Sequence, residues 1–316
     1  MKTRDCNLWG VILSGGEGTR LQNFIKRLYG IVRPKQYCSI VGRRSMLQHT
    51  HDRVQILIPC EKILTVINRS HLSYLGTQFD HQTDPNVLVQ PCGRETANGI
   101  LFALLNIYDR SPEAVAGVFP SDHFIQEEAK FMQYVDIAYQ LVRENRGGIA
   151  MLGVRPVEIE QGYGWIEKAV PVRNPWNINV NRIMKFWEKP DRQAAEILYR
   201  RNCLWNTFVM VGRVKYFLRL FTKMVPDIFN KLSQLVKFKN KNERENFLNL
   251  VYPALPSVNF SKAILEQSAN RFCVVQADDV YWSDWGDERR VLRDVERFHL
   301  RLNSVFDDSR RLRSKQ

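Results

Sequence analysis

The sequence predicts an α/β fold in which a doubly wound, mostly parallel mixed sheet is flanked by helices. Short apolar runs rich in β-branched residues recur along the first half of the chain, and helix-length segments with apolar periodicity separate them. Strands that alternate with helices in this way usually form parallel sheets covered on both faces. The predicted strands of this half are residues 9–13, 62–68, 86–90, 114–119 and 148–154.

The second half predicts a small accessory β/α sub-region attached to the same sheet. Residues 164–172 and 181–189 are expected to form strands around the turn "RNPWNIN", and residues 272–286 to hold two more strands. The predicted helices of the whole chain are 45–57, 99–109, 131–145, 192–201, 214–236 and 287–303. Because no repeat or low-complexity linker interrupts residues 1–303, we expect one domain there, followed by a flexible basic tail at 304–316.

The charge balance indicates a protein that works on anions. The 316 residues include 46 Lys or Arg and 33 Asp or Glu, which gives a net charge of +13. Such a charge favours polyanionic partners, but no zinc finger, RNP aromatic motif or concentrated basic helix indicates nucleic acid. Nucleotides and sugar phosphates are anions that fit as well.

The remaining composition predicts a cytoplasmic protein without a membrane partner. No apolar run reaches the length of a bilayer, and the N-terminus has no secretory apolar segment. The six cysteines are scattered without a C-x-x-C pair, which argues against a zinc site or a disulfide framework.

A glycine-rich loop, "LSGGEGTRL", follows the first predicted strand and leads towards a helix. In that setting Gly15, Gly16 and Gly18 would let backbone N–H groups approach a phosphate chain. The G-x-x-x-x-G-K-[ST] loop is absent, and G-x-G-x-x-G fails because Leu21 stands at its third glycine. Glycines alone would fit a plain tight turn equally well.

Two further features make the loop more specific. Arg20 ends the glycine segment, and "RPKQY" at residues 33–37 places a lysine directly after a proline. Together they resemble the G-G-x-G-T-R-L … R-P-K-Q signature of the sugar-1-phosphate nucleotidyltransferases, most closely that of the mannose-1-phosphate guanylyltransferase branch.

The resemblance continues in order over nearly the whole chain. Six further segments are similar to motifs of that family: "QPCGRETANGI" (90–100), "FPSDHFI" (119–125), "GYGWIE" (162–167), "FWEKPD" (186–191), "LWNTFVMVGR" (204–213) and "WSDWGD" (282–287).

This resemblance implies a Rossmann-like nucleotidyltransferase fold and a Mg²⁺-dependent reaction. A sugar 1-phosphate would attack the α-phosphate of a nucleoside triphosphate and release pyrophosphate. The branch that the sequence resembles most implies GTP and mannose 1-phosphate as the two substrates. Such catalysis needs positioning and charge neutralisation rather than a protein nucleophile. Residues of about 1–155 would bind the nucleotide, and about 156–303 the sugar phosphate.

Residue roles follow from the matching positions. The catalytic residues would be Arg20, Lys35, Asp122 and Lys189. The nucleotide-binding residues would be Leu13, Gly15, Gly16, Gly18, Thr19, Pro91, Gly93, Thr96 and Asp122. The sugar-phosphate-binding residues would be Gly164, Glu188, Lys189 and Asn206. Mg²⁺ would be held by Asp122 and Asp284, which without the resemblance would be interpreted as a helix cap and a turn former.

The sequence departs from the family pattern at several places. Arg20 and Lys35 lie fifteen residues apart, so the segment between them is enlarged. Asn98 and Gly99 are expected to alter one wall of the base site. The remaining changes are Thr207 and Phe208 in place of Ser-Gly near the sugar, and Asn259 in place of an acidic residue.

These departures leave the identity of nucleotide and sugar open. Another pair of triphosphate and sugar phosphate, or a non-catalytic relative that binds a nucleotide sugar, are the alternatives. A metal-dependent glycosyltransferase is a further one, because Asp278 and Asp279 imitate its acidic pair, although a turn is the better interpretation. A homodimer is left open.

Overall fold

The computed structural model describes residues 7–75, 84–145 and 148–303, so the tail predicted at 304–316 lies outside the described residues. The strands are β1 Leu8–Leu13, β2 Ile63–Asn68, β3 Val87–Gln90, β4 Val115–Pro120, β5 Phe124–Ile125, β6 Ile149–Val154, β7 Gly164–Pro171, β8 Val180–Glu188, β9 Leu204–Arg213, β10 Phe272–Ala277 and β11 Trp282–Ser283. The helices are α1 Gln22–Tyr29, α2 Met46–Gln55, α3 Leu72–Leu75, α4 Glu95–Arg110, α5 Glu128–Arg143, α6 Arg192–Arg200, α7 Val214–Met224, α8 Pro226–Leu232, α9 Lys241–Val251, α10 Glu266–Ser268 and α11 Glu288–Arg297.

Within the described ranges, one nine-stranded sheet organises the molecule, in the order β3-β2-β1-β4-β9-β6-β10-β8-β7. The pairs β1–β2, β1–β4, β2–β3 and β6–β10 are parallel. Strands β8 and β9 run against the others, and β9 pairs with both β4 and β6. The predicted doubly wound, mostly parallel mixed sheet is therefore confirmed, and β9 joins its two halves.

Helices cover both faces of this sheet. In β1, Val11 packs into the core shared with α4 and α7, whereas the next residue, Ile12, packs into the core shared with α2 and α5. Ile100 of α4 and Val135 of α5 are fully buried in these two cores. Because consecutive strand residues point to opposite faces, a strand buried on both sides must be apolar throughout, as β1 is.

Three local features differ from the sequence expectation. The enlarged segment after Arg20 contains the helix α1, which is not among the predicted helices. Residues 204–213 form the long strand β9, which the alternation of apolar and polar residues did not predict. The helix predicted at 214–236 is divided, because Pro226 lacks a backbone N–H and begins the new helix α8.

None of the helices in the described part of the chain is both long and apolar enough to cross a membrane.

A partly buried histidine predicts that acid weakens the fold. His51 of α2 shares a 2.8 Å hydrogen bond with the hydroxyl of Thr65 on β2. Burial lowers the pKa of His51 from 6.5 to about 4, against a smaller opposing effect of Asp52. At pH values between 4 and 6.5, the His51 side chain is protonated in the unfolded chain but neutral in the folded chain. The free energy of unfolding should therefore fall by about 2 kcal/mol from pH 6.5 to pH 5.

Urea unfolding at pH 7 and pH 5 measures this contribution. We expect His51→Gln to flatten the pH dependence relative to the parent, whereas the more exposed His49→Gln should leave it unchanged. Equal slopes for His51→Gln and the parent would contradict the assignment.

Candidate active site

A cleft of about 730 Å³ opens where the parallel strands end. Leu13 is the last residue of β1, Asn68 is the last of β2, and Asp122 follows the end of β4 by two residues. All three line the cleft. Doubly wound sheets bind their ligands at this carboxyl edge. The fold therefore places the predicted site residues where such proteins carry their chemistry.

The glycine loop, residues 14–18, forms one wall and is held by side chains. Asn68 Nδ2 donates to the Gly15 carbonyl at 2.7 Å, and Gln36 Nε2 donates to the Gly16 carbonyl at 2.7 Å. The Tyr37 hydroxyl donates to the Ser14 carbonyl at 2.8 Å. These three hydrogen bonds engage backbone carbonyl groups of the loop. Free carbonyl oxygens would repel a phosphate, so the bonds make the loop more favourable for an anion.

Two glycines of this loop are required by space and backbone conformation. A Cβ atom on Gly15 would lie 2.9 Å from Gln90 Nε2 and 3.2 Å from Asn68 Oδ1. Gly18 has a φ of 60°, in the left-handed region that side chains disfavour. The loop therefore runs closer to the floor of the cleft than a larger residue would permit.

Lys35 is a buried cation that contacts the carboxylate of Asp122 and the backbone of Asp284. The residue is 5% exposed, and its Nζ lies 3.1 Å from Asp122 Oδ2. The same ammonium group donates to the backbone carbonyls of Asp284 and Trp285, the latter at 3.1 Å. One side chain thus joins the segment after β4 to the segment after β11.

Asp284 is held ionised by the cations around it. Its Oδ1 accepts hydrogen bonds from Arg290 Nη1 and from the Gly286 N–H, both at 2.7 Å, and its Oδ2 lies 3.4 Å from Arg20 Nη2. Burial raises the pKa of this carboxyl, but the charges of Lys35 and Arg290 outweigh burial and hold the pKa below its usual value. The group is therefore a carboxylate, and both of its oxygens face cationic side chains.

Arg290 fixes the position of this carboxylate. Its side chain is 3% exposed and lies between Asp284 and Glu160, whose Oε1 is 2.8 Å from Arg290 Nη2. The guanidinium also lies 4.3 Å from the centre of the Tyr163 ring. Burial would lower the pKa of Arg290, but Asp284, Tyr163 and Glu160 raise it, so the group stays charged.

His123 supports the neighbouring Asp122 without adding charge. Trp282 Nε1 donates to His123 Nδ1 at 3.2 Å, so the ring proton resides on Nε2, 3.8 Å from Asp122 Oδ1. Burial lowers the pKa of His123 to about 4, although Asp122 opposes this effect. The ring is therefore neutral near pH 7.

The opposite wall comes from the second half of the chain. Gly164 and Glu188 are paired residues at the open end of the β7–β8 hairpin. Lys189 follows with a φ of 49°, and its Nζ lies 3.4 Å from Glu188 Oε1. Asn206 of β9 lies beside them, and its Oδ1 accepts the Phe208 N–H at 2.9 Å. This wall offers an anion, a cation and an amide to a polar ligand.

The cleft brings most of the predicted residues together. Those that line it are Leu13, Gly15, Gly16, Gly18, Thr19, Gly93, Thr96, Asp122, Gly164, Glu188, Lys189, Asn206 and Asp284. Three predicted residues lie outside the lining. Lys35 lies beneath it, Arg20 reaches Asp284 with a side chain that is 56% exposed, and Pro91 directly follows β3.

One expected departure is corrected by the structure. Asn98 is fully buried, and its Nδ2 donates to the carbonyls of Arg94 at 2.6 Å and Pro256 at 3.0 Å. It therefore anchors a loop rather than forming a wall of the cleft. Gly99, Phe208 and Asn259 do line the cleft.

Sequence reasoning missed several polar residues of the site. Asn68 and Gln90 line the cleft at the carboxyl ends of β2 and β3, and Gln90 Nε2 donates to Asn68 Oδ1 at 2.9 Å. Each is the polar last residue of an otherwise apolar strand, which is a signal the sequence carries. Tyr163 and Glu17 also line the cleft; both lie within motif segments, although neither was singled out as a site residue.

The acidic pair of the glycosyltransferase alternative lies in a turn after β10, as the sequence favoured. Asp278 Oδ1 accepts hydrogen bonds from Arg155 at 2.7 Å and from Gln276 at 2.8 Å, while Asp279 pairs with Lys130 at 3.2 Å. Neither aspartate is among the residues lining the cleft.

The enlarged segment after Arg20 connects the glycine loop to the Asp284 turn. Phe24 and Ile25 of α1 pack in one apolar cluster with Trp285 and with Val291 of α11. Arg27 of α1 also forms an ion pair with Glu288 at the start of α11. The additional residues therefore form a fixed packing element beside the cleft.

The fold and site define a class of protein: a doubly wound α/β domain with a glycine loop on one wall of its cleft and carboxylates facing the loop. Residues 9–298 match the Nucleotidyl transferase family, and the chain belongs to this family.

Curated relatives carry more specific names. The chain is 29% identical over 298 residues to "Mannose-1-phosphate guanylyltransferase 2" of Escherichia coli O157:H7, covering 89% of this chain and 58% of the relative. It is 28% identical over 282 residues to a Klebsiella pneumoniae "Mannose-1-phosphate guanylyltransferase", covering 87% of this chain and 57% of the relative. The chain thus spans less than two thirds of the length of these relatives.

Solved structures show the same fold. A Thermus thermophilus protein described as a mannose-1-phosphate geranyltransferase superposes with a TM-score of 0.76 at 24% identity, over 90% of this chain and 79% of that one. A Helicobacter pylori protein described as a mannose-6-phosphate isomerase gives a TM-score of 0.63 at 20% identity, over 87% of this chain and 99% of that one.

Proposed function

We propose that the protein transfers a guanylyl group from GTP to mannose 1-phosphate in a Mg²⁺-dependent reaction that releases pyrophosphate. The observation that carries this proposal is one cleft in which the glycine loop faces the Lys35–Asp122–Asp284 cluster and the Glu188–Lys189 wall. The names of the curated relatives support the choice of GTP and mannose 1-phosphate.

The donor set fits a Mg²⁺ ion. Asp122 and Asp284 both line the cleft. The described residues hold no group of three or more His, Cys, Asp or Glu that could bind a metal. Mg²⁺ is usually bound by one or two carboxylates, with substrate phosphates and waters as the other ligands. The ion would supply charge neutralisation at the α-phosphate as the new bond forms.

On the nucleotide side, the chain positions the triphosphate and stabilises the leaving group. The N–H groups of Gly16 and Gly18 bind phosphate oxygens, and the exposed Arg20 guanidinium neutralises the departing pyrophosphate. Lys35 holds the two aspartates in fixed relative positions, because its ammonium group contacts the Asp122 carboxylate and the Asp284 backbone carbonyl together.

On the sugar side, the β8 end positions the attacking phosphate. Lys189 binds the phosphate of the sugar, and Glu188 accepts a hydrogen bond from a sugar hydroxyl. Asn206 presents its NH₂ group, because its oxygen already accepts the Phe208 N–H. No side chain has to act as a nucleophile: the phosphate oxygen attacks in line.

The cellular location and the assembly of the protein are further proposals. We propose a cytoplasmic location, consistent with free thiols at the five cysteines that the structure describes. The homodimer stays a prediction.

Pyrophosphate release tests the proposed function. Four nucleoside triphosphates are combined with mannose, glucose and N-acetylglucosamine 1-phosphates in the presence of Mg²⁺. We expect release with GTP and mannose 1-phosphate. Release with another pair would show that the proposed substrates are wrong. No release from a folded protein that still binds nucleotide would support the non-catalytic alternative.

A further inference from the structure

Phe208 occupies a backbone conformation that bulky residues avoid. Its φ is 61°, in the left-handed region where a β-carbon is crowded by the following carbonyl. The pairing of β9 with β6 shifts here, because Gly153 pairs with Asn206 and Met151 pairs with Met210. A bulge therefore lies in the middle of the sheet, where glycine would be the favourable residue.

Hydrogen bonds hold this bulge in place. The Thr207 hydroxyl donates to the Leu152 carbonyl at 2.7 Å and accepts the Val209 N–H at 3.2 Å. The Phe208 N–H donates to Asn206 Oδ1 at 2.9 Å. The surroundings of Phe208 thus enforce its backbone conformation. Compared with glycine at this position, phenylalanine adds a phenyl ring.

The bulge points the phenyl ring into the cleft. Phe208 lines the cleft and is only partly buried, and its ring centre lies 6.2 Å from that of the fully buried Phe260, at an interplanar angle of 76°. The ring is supported from the core side, so it offers an apolar surface to a ligand.

The bulge that carries the ring also carries Asn206, one of the residues predicted to bind the sugar phosphate. Asn206 lies two residues earlier in the same bulge, and its Cβ is 3.4 Å from where a Cβ of Gly164 would be. Gly164 in turn pairs with Glu188. A flat apolar surface next to an amide and a carboxylate matches a pyranose, which has an apolar C–H face and hydroxyl groups at its edge.

We propose that Phe208 is a specificity-determining residue that packs against the C–H face of the sugar ring of the sugar 1-phosphate and of the nucleotide sugar. This inference rests on the proposed function and deepens it. The strained aromatic residue adds binding energy for the hexose, not for the nucleotide, so its effect should appear in one Michaelis constant only.

The test is a comparison of Phe208→Gly with the parent. We expect the KM for mannose 1-phosphate to rise about tenfold, which corresponds to about 1.4 kcal/mol, while the KM for GTP changes less than about twofold. The melting temperature should stay within a few degrees, because glycine relieves the positive φ while contacts to Phe260 are lost. Phe208→Tyr retains the ring and should retain the parent KM.

A matched control separates the ring from the backbone. Asn177 also has a positive φ, 54°, but lies exposed in the β7–β8 turn, outside the cleft lining. Asn177→Gly should leave both Michaelis constants unchanged. A parent-like KM for mannose 1-phosphate in Phe208→Gly would overturn the inference, and so would a larger change in the KM for GTP.

Failure of the proposed function is distinguishable from failure of this inference. A parent protein without turnover would contradict the function, and calorimetric binding of GDP-mannose would still decide the role of Phe208. Binding at least fivefold weaker in Phe208→Gly than in the parent would support the inference. Equal binding, or no binding by the parent, would overturn it.

Discussion

Replacement of Asp122 by asparagine is expected to lower kcat by about 10²–10³-fold with little change in the fold. The substitution retains the shape of the side chain but removes one of the two carboxylates that we propose to bind Mg²⁺. Lys35 keeps its bonds to the carbonyls of Asp284 and Trp285, so the buried ammonium group is not left without partners. Steady-state pyrophosphate release at saturating substrates measures the effect.

The control for Asp122→Asn is the same chemical change outside the cleft. Asp279 pairs with Lys130, and its side chain is 85% exposed, so Asp279→Asn should retain the parent kcat. Calorimetric titration with Mg²⁺ and nucleotide should show weakened metal binding only in Asp122→Asn. Undiminished turnover by Asp122→Asn would contradict the metal-binding role.

Replacement of Arg290 by methionine is expected to destabilise the protein by about 3 kcal/mol and to lower kcat as well. The buried guanidinium neutralises Glu160 and Asp284 together, and removal of one partner leaves buried charges uncompensated. Asp284 Oδ1 then also loses one of its two hydrogen bonds and keeps the one from the Gly286 N–H. Urea unfolding and pyrophosphate release at the same pH measure both effects.

The adjacent arginine provides the matched control. Arg289 Nη2 lies 3.2 Å from the same Glu160 carboxylate, but its side chain is 69% exposed. An exposed ion pair contributes little, so Arg289→Met should cost less than about 1 kcal/mol and leave kcat unchanged. Equal effects of the two substitutions would show that Arg290 has no special role in holding Asp284.

The first half of the fold was predictable because its signals are local. Strands β1, β2 and β4 are short apolar runs, and the glycine loop follows β1 directly. Strand β9 was not predicted, because its bulge at Phe208 interrupts the alternation of apolar and polar residues by which strands are recognised.

The site was predictable in its residue types but not in its contacts. The sequence indicated a catalytic role for Lys35 but not its partners, because its Nζ lies 3.1 Å from Asp122 Oδ2 and donates to the carbonyl of Asp284, 249 residues away along the chain. That contact depends on how β11 returns to the cleft. Likewise nothing local distinguishes Arg289 from Arg290, because only the packing of α11 decides which one is buried.

The most direct test of nucleotidyl transfer is a ³¹P NMR time course of the protein with Mg²⁺, GTP and mannose 1-phosphate. The proposed function predicts that the signal of mannose 1-phosphate is replaced by the paired diphosphate signals of a nucleotide sugar, with one free pyrophosphate for each product formed. Orthophosphate release with intact mannose 1-phosphate, or unchanged spectra from a folded protein, would contradict it.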